Sequence, residues 1–203
     1  MMLRKPLVIA AAALACNLAH ADAKNFEGLS INLGAYAVSS TTKISYGSNH
    51  LDGLGSNEFV ADLGVDYGIA LSPNTVLLLG GSYGLSDPLV SDINAPDVDL
   101  SGKIKASNRF SLFAAPGVTL SDKVLAYGKV AYVSGKPSGT GYFASANKTH
   151  SGFGYGAGVR FLLNENVYLN FEAMNNEYGS EDYPSGHWSA KGLVAGLALG
   201  YKF

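Results

Sequence analysis

Glu58, Asp62 and Asp66 recur at every fourth residue, an even spacing that places all three carboxylates on one face of an extended strand. Arg109, Lys129, Arg160 and Glu172 occupy equivalent positions in later segments, each alternating with apolar neighbours. If these faces converge on one interior, the three cations are expected to serve the four carboxylates. An unpaired charge in a poorly hydrated interior costs several kcal/mol, on the order of the penalty for any buried lone ion. Two kinds of chemistry follow. The charges can form a plug that ties the walls together, or they can line a narrow path for water and ions.

Other constellations carry less. In His187-Trp-Ser189 the His and Ser share a strand face, as a base and a nucleophile must. No orienting acid joins them, and Thr149-His150-Ser151 sets adjacent residues on opposite faces. The acidic residues Asp87, Asp92, Asp97, Asp99, Glu177, Glu181 and Asp182 lack the Asp-x-Asp-x-Asp-Gly spacing of a calcium loop. Gly154, Gly156 and Gly158 are spaced strictly by two, unlike a phosphate-binding loop, and are expected to leave room for larger side chains nearby. The sequence therefore predicts no catalytic, metal or cofactor site and no enzyme.

The elements that must position the charges are strands. Phe59, Ala61, Leu63, Val65, Tyr67, Ile69 and Leu71 alternate with Glu58, Val60, Asp62, Gly64, Asp66, Gly68 and Ala70. The same period of two runs through Gly28 to Val38, Thr75 to Leu85, Lys103 to Leu120 and Val124 to Ser134. It returns in Gly152 to Leu163, Val167 to Met174 and a last segment from about Trp188 to Phe203. That makes eight strands of about 10 residues, the length a tilted strand needs to cross a bilayer. In the third, Leu77, Leu79, Tyr83 and Leu85 are taken as the outward set, although Val76 and Leu78 leave the register open. In the fifth, only Lys129, placed inside, fixes it. Pro116 is expected near a strand end or bulge.

Residues 1–21 read as an export signal: Arg4 and Lys5, an apolar run from Pro6 to Leu18, then small residues at Ala19 and Ala21. Cleavage after Ala21 or after Ala23 fits, with residues 22–203 forming one domain. The single cysteine, Cys16, belongs to the signal, so no disulfide is expected beyond it. Without Arg4 and Lys5, 12 basic residues face 16 acidic ones, which argues against nucleic acid as a partner. No later stretch has the ~18 apolar residues of a membrane helix.

The connections alternate. Ser72-Pro-Asn74, Ser121-Asp-Lys123 and Asn164-Glu-Asn166 are short turns. The stretches from about Ser39 to Asn57, Ser86 to Gly102, Gly135 to Ser151 and Asn175 to His187 read as long polar loops. An up-and-down barrel then carries every short turn at one rim and every long loop at the other. A soluble β-sandwich or barrel would hide its apolar face, whereas here the aliphatic and aromatic face must point outward. Tyr67, Tyr83, Tyr132, Tyr155, Trp188, Tyr201 and Phe203 are candidates for aromatic girdles. Closure of the last strand onto the first would remove both sheet edges.

These features, with Leu125-Ala-Tyr-Gly-Lys-Val-Ala-Tyr132, Gly154-Tyr-Gly-Ala-Gly-Val-Arg-Phe161 and the Tyr201-Lys-Phe203 terminus, resemble the small outer-membrane β-barrel family. That family comprises the OmpA-like transmembrane domains, the OmpX-like proteins and the opacity-type proteins. The resemblance implies an all-β, eight-stranded antiparallel transmembrane barrel in the outer membrane of a Gram-negative cell. It also implies that Leu199, Tyr201 and Phe203 form the signal read by the barrel-assembly machinery. Outer-membrane lipids and lipopolysaccharide are the expected surroundings, and the chain is expected to be a monomer. Its expected role is structural and surface-interacting, with the loops meeting an extracellular ligand or host surface. The alternative is a narrow porin-like channel through the lumen.

Overall fold

The computed structural model describes residues 22–46, 49–95, 100–140, 148–179, 181–183 and 186–203. The export signal expected over residues 1–21 lies outside them. Among these residues ten strands follow a one-turn 3-10 helix at Ala23–Phe26: β1 (Gly28–Tyr46), β2 (Asn49–Ser72), β3 (Thr75–Gly84), β4 (Leu89–Ala95) and β5 (Leu100–Ser121). They continue with β6 (Val124–Gly139), β7 (His150–Leu162), β8 (Val167–Tyr178), β9 (Glu181–Tyr183) and β10 (Gly186–Lys202). All pairings are antiparallel. Eight strands form the wall in the order β1-β2-β3-β5-β6-β7-β8-β10, and β10 returns to pair with β1 from Ser30 opposite Lys202 to Ser45 opposite His187. The ring is thus closed, and neither end of the wall presents an unpaired edge.

The alternation decides which way the wall faces. Leu33, Phe59, Leu112, Phe153, Leu197 and their neighbours of the same parity are exposed on the outside, Phe59 at 85%. Inside, Val76, Leu78, Ala115, Leu125 and Tyr168 are almost wholly buried. In β3 the outward set is therefore Leu79 and Tyr83, continued by Leu85 beyond the strand end, with Val76 and Leu78 inside. Lys129 fixes β6 with its side chain in the lumen. Tyr67, Tyr83, Tyr132, Tyr155, Tyr201 and Phe203 all lie outward; the Trp188 side chain falls outside the description.

Three expectations need correction. The stretch from Ser39 to Asn57 is not a loop, because β1 and β2 run on as a ladder to Tyr46 opposite Asn49. The polar composition marks strand that has left the apolar layer, where both faces meet water. The other long connections also carry structure. β4 pairs with the start of β5, β9 pairs with β10, and β6 and β8 extend to Gly139 and Tyr178. Strand lengths accordingly range well beyond 10 residues, up to 24 in β2. Pro116 sits inside β5, opposite Leu77, in a ladder that keeps its register from Thr75 to Tyr83. The register shifts of β5 fall elsewhere, at Ser107/Phe110 and Thr119/Ser121, and the first holds Asn108 at a φ of 48°.

Candidate functional site: the filled lumen

The inward faces bring the charges together in tiers. Nearest the short turns, Arg160 of β7 reaches Asp66 of β2 with both nitrogens, Nη1 to Oδ1 at 3.0 Å and Nη2 to Oδ2 at 2.9 Å. These side chains are only 4% and 1% exposed. The guanidinium also lies 4.1 Å above the Tyr168 ring, a cation–π contact that a dry interior strengthens. A planar, two-pronged cation suits this site because it matches the carboxylate geometry and, being more weakly hydrated than an ammonium, loses less on leaving water.

One tier further from the turns, Lys129 Nζ of β6 donates to both carboxylate oxygens of Glu172 on β8, at 2.8 and 3.0 Å. It also sits 4.0 Å over the Phe113 ring. The Tyr127 hydroxyl lies 2.9 Å from Asn170 Oδ1 and 3.0 Å from Glu172 Oε2 and can donate to either. The third tier is Arg109 of β5, whose Nη2 meets Asp62 Oδ1 at 2.7 Å. Its Nε donates at 3.4 Å to the Ser86 carbonyl. Both side chains of this pair retain nearly a fifth of their exposure. Glu58, one step further along the same face, is half-buried and has no ion-pair partner among the described residues. Three cations therefore meet three carboxylates, and the fourth is left without one among the described residues.

Tyrosines complete the filling, although none is among the candidate residues of the sequence analysis. Tyr36, Tyr127 and Tyr168 project inward from β1, β6 and β8. Each fits because the facing position is glycine: a Cβ at Gly158 would stand 2.3 Å from the Tyr127 hydroxyl, at Gly200 2.1 Å from the Tyr168 ring, and at Gly196 2.7 Å from the Tyr36 ring. The signal was available as period-two parity, since every one of these tyrosines alternates with outward aliphatic residues. Amid the charges, the void bounded by Asn32, Tyr36, Asp66, Lys129, Arg160 and Glu172 measures about 30 Å³. That is the space of a water or so, not a continuous file of them.

The turn end is shut by a second device. Asp22 caps the 3-10 helix by accepting from Lys24 N at 2.9 Å. Ala23 and Phe26, 0% and 1% exposed, pack on Val76, Leu78, Ala115, Leu125, Leu162 and Tyr168. Gly28, at a φ of +114°, then pivots the chain from this plug into β1, a conformation an L side chain resists. Gly68 lets the plug seat, since a Cβ there would lie 2.0 Å from the Phe26 carbonyl oxygen. At the opposite end a cavity of about 130 Å³ opens above Arg109, walled by Val38, Val90, Ile104, Pro137, Tyr178 and Val194.

The remaining candidates do not converge on a second site among the described residues. His187, Glu181, Asp182, Asp92, Asp97 and Asp99 have side chains outside the described residues. Asp87 is exposed, and Glu177 pairs with Lys191 at 3.0 Å on the outer face. Ser151 Oγ accepts from the Tyr132 hydroxyl at 2.6 Å or donates to it. Among the described residues no three His, Cys, Asp or Glu side chains cluster as metal ligands. At the C-terminus, Leu199, Tyr201 and Phe203 all lie outward, with the Tyr201 and Phe203 rings edge to face at 5.1 Å.

No curated protein sequence matches this chain. Solved structures share its fold. The attachment invasion locus protein Ail of Yersinia pestis is 20% identical over 87% of this chain and 99% of its own, with a TM-score of 0.50. Neisserial surface protein A is 15% identical over 87% and 100%, at 0.50. The outer membrane protein OprG from Pseudomonas aeruginosa is 13% identical over 87% and 96%, at 0.51. The likeness to these structures lies in the fold, and a model of the outer membrane protein beta-barrel domain matches residues 8–203: the chain belongs to that family.

Proposed function

We propose that this barrel is a non-conducting scaffold of the outer membrane, whose work is done at its outer surface. The observation that carries the reading is the filled lumen. Three ion pairs stand in tiers above an apolar plug, with a void of only about 30 Å³ between them. An ion entering would have to displace the Arg160–Asp66 pair and shed its own hydration, because eight strands leave an interior that side chains fill. What the barrel does present is strand that continues past the apolar layer. The β1–β2 ladder extends outward as a hairpin, the β5–β6 ladder extends outward as paired strands, and Lys105 and Lys136 stand exposed, diagonally opposed, on the second. Paired strands of this kind suit loop-mediated attachment to a partner surface. The name of Ail, which shares this fold, records attachment and invasion and is in keeping with this reading.

Purified, folded protein in a planar bilayer tests the reading. Silence from protein with heat-dependent gel mobility is the expected result. A steady conductance that changes in Arg160→Gln or Glu172→Gln would replace the scaffold with the channel. Surface attachment is checked separately by shortening the outer ends of the β1–β2 or β5–β6 ladders, which should abolish binding to a responsive surface and leave barrel folding intact.

A further inference from the structure

The plug at the turn end places one backbone nitrogen where a charge would be useful. Asp22 N donates to Asp122 Oδ1 at 3.1 Å, across from the β5–β6 turn. Its neighbours are fixed to the same rim: Ala23 N donates to the Pro73 carbonyl at 2.8 Å, and Asn25 Nδ2 donates to the Asp122 carbonyl at 3.1 Å. The sequence left two cleavage points open, after Ala21 and after Ala23. They differ sharply in what they do to this arrangement. A cut after Ala23 removes the helix cap, the Asp122 contact and a residue that is wholly buried in the floor. A cut after Ala21 keeps all of these and turns the Asp22 nitrogen from a neutral amide into a free α-ammonium.

We propose that the export signal is cut between Ala21 and Asp22, and that the new α-ammonium pairs with the Asp122 carboxylate to pin the plug across the turn end of the lumen. Hydrolysis of that peptide bond consumes one water and leaves a carboxylate on Ala21 and an amine on Asp22, which is protonated at neutral pH. A neutral hydrogen bond thereby becomes a charge-assisted one. Cleavage and sealing are then one event: until the leader is gone, the plug lacks its charged anchor. The proposal rests on the reading that the leader is removed at all, and the first measurement separates the two.

The full chain, expressed with its leader in a Gram-negative host, is extracted from outer membranes and weighed intact. A mass beginning at Asp22 is expected. A mass beginning at Lys24, or at any other cut, overturns the inference alone; an uncut chain overturns the cleaved leader as well. For the ion pair, the Asp22-start chain is refolded with a free or an acetylated terminus, each with and without Asp122→Asn. Unfolding in urea is followed by loss of heat-dependent gel mobility. Acetylation or Asp122→Asn alone should speed unfolding about two- to five-fold, the scale of an exposed ion pair. The two together should add little to either. No effect, or effects that multiply, would show that the terminus and Asp122 act independently and would sink the pinning.

Discussion

The two halves of the lumen solve the same problem in opposite ways. Toward the short turns, the Arg160–Asp66 pair is almost completely dry and rests on an apolar floor closed by Ala23 and Phe26. Toward the hairpins, Arg109 and Asp62 keep part of their hydration, and a cavity opens above them. Both pairs join an arginine to a carboxylate at less than 3 Å, so their chemistry is alike. Their surroundings differ, and desolvation sets the stakes. A dry pair contributes little net stability when intact but is costly to break, since the survivor is left charged in a medium that cannot solvate it. A half-wet pair gains less and loses less, because water replaces the missing partner.

That contrast can be broken or sharpened by substitution, read from the urea midpoint of refolded protein. Asp66→Ala should have the largest effect, about 3–5 kcal/mol, because Arg160 is left uncompensated in the dry half. If it costs no more than a surface change, water reaches the turn end and the contrast fails. Phe26→Ala should follow at about 3 kcal/mol, the cost of emptying an aromatic site in a packed cluster. It should leave a bilayer silent, since all three ion pairs remain in place. Asp62→Asn should cost only about 1 kcal/mol, because Arg109 keeps its bond to the Ser86 carbonyl and its access to water.

The smallest effect belongs to the outer face beyond the apolar layer, at Glu177 and Lys191. The Lys191 ammonium, hydrogen-bonded to Glu177 and beside it in charge, holds that carboxyl below its ordinary value of about 4.5. A carboxyl depressed by folding contributes stability above its unfolded value and loses it as pH falls through the folded one. Glu177→Gln should therefore leave the midpoint nearly unchanged at neutral pH and remove only a slight acid-side slope. A large shift would mean that this exposed pair does more than solvated charges do.

Much of this was legible in the chain itself. Strict alternation fixed which residues face lipid and which face the lumen, because a one-residue slip would reverse every side chain of a strand. It placed Asp62, Asp66, Arg109, Lys129, Arg160 and Glu172 inside, and it fixed the succession of strands and short turns. The hairpin extensions were misread as loops because polar composition cannot distinguish a loop from a strand that has left the bilayer. The plug went unread for a related reason: Asp22 to Glu27 has no period of its own, and Ala23 and Phe26 are buried only because a ring of other strands surrounds them.

Composition and period determined the barrel, its outward face and the set of charges it encloses, since those depend only on the two-residue repeat of an extended chain. Tertiary structure decided which cation meets which carboxylate, that Glu58 is left over among the described residues, and that glycines opposite Tyr127 and Tyr168 make room for them. Those outcomes depend on the stagger between strands far apart in sequence, which sets the height of each residue in the lumen. No local pattern encodes that height; closure of the ring between β1 and β10 does.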